Sequence, residues 1–227
     1  MYQLSVKIEN LTKIFEKLEN IKNIWEIGNI DGQNEKDLIE AFPVAKIISF
    51  EPNPDTFEIL NDVSSKSLGR IRALNVASSN SDREITFYKI DTKTTFISWP
   101  DGNAGTYSLI IANDEYQIEK YSQIPIKVQS SKASTLIKIN RFYVPNLIWI
   151  EVEGAEKLVL ERFEEFLSSI DFLHIKLSLI RLYLGQPMAG EIIHLISKNF
   201  FWHTNLSLGT WQFDAFFVNK KFNKQSL

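Results

Sequence analysis

The chain of 227 residues contains no cysteine, which excludes disulfide staples, zinc–thiolate centres and thiol nucleophiles. Neither charge is in excess: 25 basic residues face 28 acidic ones for a net charge of -3, without long single-sign runs. A nucleic-acid partner is therefore not expected. No stretch approaches the roughly 20 apolar residues that a membrane span needs, and the opening MYQLSVKIENLTKIFEKLENIKN lacks the basic-then-apolar order of a signal peptide. Stable membrane insertion is not expected, and the expected compartment is the cytoplasm. Repeats and low-complexity linkers are also missing. What is plentiful is apolar mass: a 44% hydrophobic content with 16 Phe and 5 Trp suffices for a single buried core, so residues 1–227 read as one domain, with a homo-oligomer left open.

Leu4, Ile8, Leu11, Phe15 and Leu18 recur at helical spacing, predicting an amphipathic N-terminal cover within residues 1–21. Then strands and helices alternate. NIWEI reads as a strand, Gly32 to Ala41 as a helix, AKIISFE as a strand and Pro54 to Ser67 as a helix, followed by RIRALNVA and EITFYKI as strands. Residues 91–122 are polar, carry Pro100, Gly102 and Gly105, and show no sustained period; such a loop inside a domain is usually functional. Beyond it come IPIKVQS (strand), 131–139 (short helix), NLIWIEVE (strand), 155–169 (helix), IDFLHIKLSL (strand), 188–199 (helix), and the adjacent strands FFWHTNL and WQFDAFFVN. Apolar strands alternating with amphipathic helices predict an α/β fold: a mostly parallel sheet with helices on both faces and a C-terminal antiparallel hairpin.

In such a sheet, ligands bind beyond the carboxyl ends of the strands, near the reversal of strand order. The first strand exits into EIGNIDGQ, where Gly28 and Gly32 permit a tight turn close to a ligand. The third glycine of the dinucleotide pattern is absent. The second strand ends in Glu51, followed by Pro52-Asn53-Pro54, and an acid about twenty residues after the turn accepts hydrogen bonds from the ribose hydroxyls of an adenosine. This spacing suits NAD and S-adenosylmethionine alike.

Four stretches together, WEIGNIDGQ, IISFEPNPDTFEIL, LNVASSNSDREITFY and IWIEVEGAEKLVL, resemble in order and spacing the successive motifs of the FkbM-type S-adenosylmethionine-dependent methyltransferases, as do LSLIRLYLGQP and FDAFFVN in the tail. The resemblance implies the seven-stranded Rossmann-like fold of class I methyltransferases. It implies S-adenosylmethionine over Glu26 to Gly32, with Glu26 toward its amino-acid end, Glu51, Pro52 and Asn53 around the ribose, and Asn75, Val76 and Ala77 near the adenine. Asp31 replaces the usual apolar residue before the second glycine and is read as a further cofactor contact. Ile30, Trp149, Glu151 and Lys176 also depart from the family's pattern, the last three standing where a Lys, an Asp and an acid are usual.

Methyl transfer from a sulfonium needs an in-line nucleophile and removal of its proton. Glu151 and Glu153, two apart and on one face if the strand continues, are the candidate catalytic pair, as a general base or as ligands of a divalent cation. Glu156 lies at a helix start, where a carboxylate complements the dipole. His174 and His203 are weaker candidates for the base, and His194, inside a helix, weaker still. Lys176 is a candidate contact for an anionic acceptor. Trp99, Tyr107 and Ser108 in the central loop, with Tyr183 and Gln186 after a later strand, are the expected acceptor contacts. The expected activity is O-methylation of a sugar, glycan precursor or similar polar metabolite. The rivals are a cofactor-binding module without turnover and an NAD-dependent oxidoreductase, for which Tyr116 and Lys120 supply only a common spacing.

Overall fold

A computed structural model describes residues 21–28, 32–90 and 122–222. The predicted N-terminal helix, nearly all of the central loop with Trp99, Tyr107 and Ser108, the Tyr116–Lys120 pair, and Ile30 and Asp31 lie outside the described residues. Seven strands form the main sheet: β1 (Asn23–Ile27), β2 (Lys46–Phe50), β3 (Ile71–Leu74), β7 (Leu147–Ile150), β8 (Phe172–Ser178), β9 (Phe200–Leu208) and β10 (Gln212–Asn219). Their spatial order is β3-β2-β1-β7-β8-β10-β9. The first five in that order run parallel to one another, whereas β10 is antiparallel to both β8 and β9. Order therefore reverses between β1 and β7, the kind of position beside which open α/β sheets bind ligands.

Central parallel strands are covered on both faces and so read as unbroken apolar runs; all four residues of β7, LIWI, are buried. One face carries Trp25, Ile27, Ile148 and Ile150 under the helices α3 (Glu156–Arg162) and α4 (Ala189–Ile196). On the other, Ile24, Ile47, Leu147 and Trp149 pack with Leu38 of α1 (Gln33–Ala41) and Val63 of α2 (Pro54–Lys66). No described helix is long and apolar enough to cross a membrane.

Three predicted elements change shape. RIRALNVA splits, because the Asn75 amide donates to the carbonyl oxygens of Glu51 (2.8 Å) and Pro52 (3.3 Å) and turns the chain out of the sheet. The next strand, β4 (Ala77–Ser78), joins β5 (Glu84–Ile90) and β6 (Gln123–Ser131) in a separate three-stranded sheet around Ala77, Phe87 and Val128. There EITFYKI and IPIKVQS are antiparallel neighbours and not further steps of the parallel series. The predicted helix over 131–139 shrinks to a π-helical turn, Thr135–Ile139, its start tied by the Asp82 carboxylate to the Lys132 amide (2.9 Å) and the Thr135 hydroxyl (2.7 Å). The helix expected over 155–169 ends at Arg162. Beyond it the Asn219 amide donates to the Leu167 (3.0 Å) and Ile170 (2.6 Å) carbonyls, so backbone acceptors there are satisfied without continuing the helix.

Candidate active site

Strand register explains how scattered polar residues converge. Across the sheet, Ser49 stands beside Glu26, Glu26 beside Trp149, Trp149 beside His174 and His174 beside Phe216. Because side chains alternate, the positions two residues on repeat the row at the carboxyl edge: Gly28, Glu151, Lys176 and, on the antiparallel β10, Asp214 opposite Lys176. One face of the sheet thus ends in a band of polar groups that spans the strand-order reversal.

On the β1–β2 side, Gly28 has φ +93, and a Cβ there would lie 2.2 Å from the Glu151 carbonyl oxygen. Only glycine lets the two strand exits pass so closely. Gly32 caps α1 with φ 73, and its own Cβ would meet Val63 at 2.7 Å. Glu26 is fully buried, accepting from Ser49 Oγ (2.6 Å) and Asn34 Nδ2 (3.3 Å). The Ser49 hydroxyl also meets the buried Glu35 of α1. Burial, and then the neighbouring Glu35 carboxyl, push the Glu26 pKa well above the ordinary carboxylate range. Glu51 is buried at the tip of β2, its Oε1 accepting from the Asn53 amide at 2.7 Å. Burial lifts its pKa to about 8 against the pull of that amide and of Thr56. Asn53 also caps α2 by accepting from the Asp55 amide (3.2 Å), with Pro54 as first helical residue. Asn75 is exposed and braces the Glu51–Pro52 backbone, Val76 is half-buried, and Ala77 is buried in the small sheet's core.

On the β7–β8 side, β7 ends at Ile150, so Glu151 and Glu153 do not meet by strand alternation as expected. Residues 152–155 instead form a turn closed by the Ala155 amide on the Val152 carbonyl (3.3 Å), with Glu153 at φ 42 and Gly154 at φ 93. Positive φ at both central positions is costly for glutamate and natural for glycine. What unites the pair is Lys176, whose Nζ lies 3.4 Å from Glu151 Oε2 and 3.2 Å from Glu153 Oε1. Burial works against the Lys176 charge, but Glu151, Glu153 and Asp214 outweigh it and raise its pKa. Trp149 Nε1 donates to Glu151 Oε1 (3.1 Å), and Gln212 Nε2 to Glu153 Oε2 (3.4 Å). Beside this cluster is a cavity of about 440 Å³, with Lys176, Asp214, Ser207 and Trp211 on its wall.

The remaining candidates fall elsewhere. Glu156 is buried and accepts from the Gly154 amide (2.9 Å), and burial lifts its pKa to about 7. Tyr183 is buried with its ring against Gly154, and Gln186 turns its Oε1 to the Leu182 (2.8 Å) and Tyr183 (3.2 Å) amides. Neither lines the cavity beside Lys176. His194 is exposed on α4, and His203 lies on the edge strand β9, where partial burial lowers its pKa. His174 is fully buried, stacked on Trp149 with ring centroids 3.5 Å apart. Sequence reasoning passed over Ser49, Glu35, Gln212 and Asp214. For Ser49 and Asp214 the available signal was a lone polar residue on an otherwise apolar strand, IISF or QFDAFF.

The sequence pattern of the methyltransferase FkbM domain matches residues 26–201, which is more than three quarters of the chain. The protein belongs to the FkbM methyltransferase family. The match contains both halves of the band, from Glu26 to Lys176, but stops short of Asp214. Among curated proteins, this FkbM chain is 26% identical over 199 residues to the 2-O-methyltransferase NoeI of Sinorhizobium fredii, covering 85% of the chain and 77% of NoeI. It is 25% identical over 164 residues to the hexuronic acid methyltransferase AglP of Haloferax volcanii, covering 72% of the chain and 59% of AglP. Two solved structures share the fold. Fibrillarin in complex with Nop5p aligns with a TM-score of 0.53 at 12% identity, covering 93% of this chain and 79% of that one. TrmK of M. capricolum bound to S-adenosylhomocysteine aligns at 0.52 and 11% identity, covering 96% and 70%. The expected class I methyltransferase fold is the one observed.

Proposed function

We propose that this protein is an S-adenosylmethionine-dependent O-methyltransferase acting on a hydroxyl of a sugar, glycan precursor or similar polar metabolite. The observation that carries the reading is the division of the polar band at the strand-order reversal. Glu51 and the Gly28 turn stand on one side, and Lys176 with Glu151 and Glu153 beside the cavity on the other. The residues present suit the donor: a buried carboxyl group at the tip of β2 offers oxygens to ribose hydroxyls, and the turn at Gly28 leaves no room for a side chain. Pro52 and Asn53 stiffen that exit, while Asn75, Val76 and Ala77 border the adenine side. Glu26, with Glu35 beside it, forms an acidic floor toward the ammonium end, and Asp31 is assigned as a further contact.

The bound donor supplies a methyl group on a sulfonium. Held at Glu51 and the Gly28 turn, it would give that methyl carbon to the acceptor oxygen and keep the electron pair of the broken carbon–sulfur bond. The hydroxyl proton leaves toward Glu151, which Trp149 and Lys176 hold in place. Glu153 anchors Lys176 and Gln212 at the cavity mouth. Trp99, Tyr107 and Ser108 complete the proposed acceptor side, while Tyr183 and Gln186, buried away from the cavity, support it from behind the Gly154 turn. AglP is named for a hexuronic acid and NoeI for 2-O-methylation, and the two together support a sugar hydroxyl as acceptor.

A cofactor-binding module without turnover is the second reading, favoured by the Lys176–Glu151 ion pair, which weakens Glu151 as a base. Calorimetry with S-adenosylmethionine, S-adenosylhomocysteine and NAD, followed by turnover on a panel of uronic acids, sugar nucleotides and oligosaccharides, separates the readings. Binding of the first two with methyl transfer to a sugar is expected. Tight NAD binding with no response to the sulfonium pair would overturn the proposal, and binding without turnover on any acceptor would favour the module.

A further inference from the structure

We infer that Glu151, His174 and Asp214 form a binding site for one divalent cation of the manganese or zinc type, a different ligand set from the Glu151–Glu153 pair suggested by spacing. One ligand atom from each of the three residues lies within 4.8 Å of the other two. Ligands about 2.0–2.2 Å from a common ion stand roughly 3–4.4 Å apart, so small side-chain movements close the set. The convergence comes from register: His174 and Lys176 alternate on one face of β8, Glu151 ends the neighbouring β7, and Asp214 lies opposite Lys176 on β10.

Three observations point to a cation. His174 has no exposed surface, yet neither ring nitrogen makes a hydrogen bond. Its Nε2 stands 3.3 Å from Asp214 Oδ1, near enough for an ionic contact but poorly aligned for a hydrogen bond. A buried imidazole left in this way costs about 1–3 kcal/mol, which a metal bond at one nitrogen would offset. Second, Lys176 Nζ approaches Glu151 at 3.4 Å and Glu153 at 3.2 Å, so the carboxylates at the exit of β7 already turn toward one positive charge. Third, the outer oxygens are already oriented: Trp149 Nε1 holds Glu151 Oε1 (3.1 Å) and the Ser207 hydroxyl holds Asp214 Oδ2. Metal-binding carboxylates are usually braced in this manner. The cavity beside Lys176 reaches the set at Asp214. One imidazole with two carboxylates favours manganese or zinc over magnesium, which prefers an all-oxygen shell. Lys176 competes for the same carboxylates and must lean toward Glu153 when the ion enters.

The site shares Glu151 with the methyl-transfer reading but does not rest on it, since it is tested with the metal alone. The 227-residue chain, without donor or acceptor, is titrated with Mn²⁺ while the signal of free ion is followed by electron paramagnetic resonance. One equivalent is expected to bind. His174→Gln and Asp214→Asn, checked for folding by circular dichroism, should weaken it at least tenfold. Glu153→Gln should leave it within threefold, and Lys176→Met, by removing the competing cation, should tighten it tenfold or more. In unmodified ¹⁵N-labelled protein, Mn²⁺ should broaden the His174 imidazole signals before those of His194 and His203, a readout independent of any variant. The proposal is overturned if no stoichiometric ion binds, if folded His174→Gln and Asp214→Asn bind like the parent, or if Lys176→Met fails to tighten binding.

Discussion

Replacing Glu51 with glutamine is expected to stabilise the ligand-free protein at alkaline pH while weakening it as a donor-binding protein. Glu51 is 3% exposed, and burial pushes its pKa from an ordinary 4.5 to about 8. Below pH 4.5 folded and unfolded chains both carry the proton, and the group adds nothing to the pH dependence. Between pH 4.5 and 8 the unfolded chain releases it while the folded chain keeps it, so stability falls as pH rises, and above pH 8 the loss is complete. At 1.36 kcal/mol per pH unit the gap corresponds to roughly 5 kcal/mol as an upper limit. Glu156, with its pKa raised to about 7, and Glu26 contribute in the same direction; only the difference between parent and variant isolates Glu51. Urea unfolding at pH 5, 7 and 9, followed by the fluorescence of the buried Trp25 and Trp149, should show the stability of Glu51→Gln gaining on the parent by several kcal/mol across that range. A gap unchanged with pH would refute the reasoning. In the parent, S-adenosylmethionine affinity should rise as pH approaches 8, because the ionised carboxylate accepts from both ribose hydroxyls; a flat profile would remove Glu51 from the ribose.

Glu51→Ala should weaken S-adenosylmethionine binding by at least tenfold, about 1.4 kcal/mol, whereas Glu151→Gln should retain donor affinity and lose turnover; calorimetry beside a methyl-transfer assay reads both, and equal loss of affinity would mean the two sides are misassigned. Gly28→Ala places a methyl group 2.2 Å from the Glu151 carbonyl at φ +93, so a loss of more than about 2 kcal/mol is expected in chemical denaturation. A parent-like midpoint would show that the two strand exits are less closely packed. Asn219→Ala removes the hydrogen bonds to Leu167 and Ile170 and should cost about 1–3 kcal/mol, read as a lowered melting temperature, while Asn219→Asp, which lacks the amide donor, should not restore it.

The parallel half of the fold was legible because each buried strand is a short apolar run followed by an amphipathic helix. The small sheet was not, since EITFYKI and IPIKVQS alternate in the same way whichever sheet they join. The placement of the proposed donor side was legible too: Gly28 and Glu51 sit on consecutive elements at a spacing that strand and helix lengths impose. That of the proposed acceptor side was only partly so. Glu151 and Glu153 stand out as acids after an apolar strand, yet the alternation that was to unite them ends at Ile150, and Lys176, twenty-five residues beyond Glu151, brings them together. The adjacent runs FFWHTNL and WQFDAFFVN likewise mark a hairpin without saying which of its strands sits against β8.

What the sequence determined by itself is the set of local periods and turns: where most strands and helices begin, and where glycine permits the chain to double back. These arise from side-chain alternation and backbone sterics within a few residues. What only the tertiary structure decided is the register that sets Glu26, Trp149, His174 and Phe216 in one row and Lys176 opposite Asp214. Register is chosen by packing both faces of the sheet at once, so the meeting of residues from separate strands around one buried imidazole is a property of the folded chain and of no segment of it.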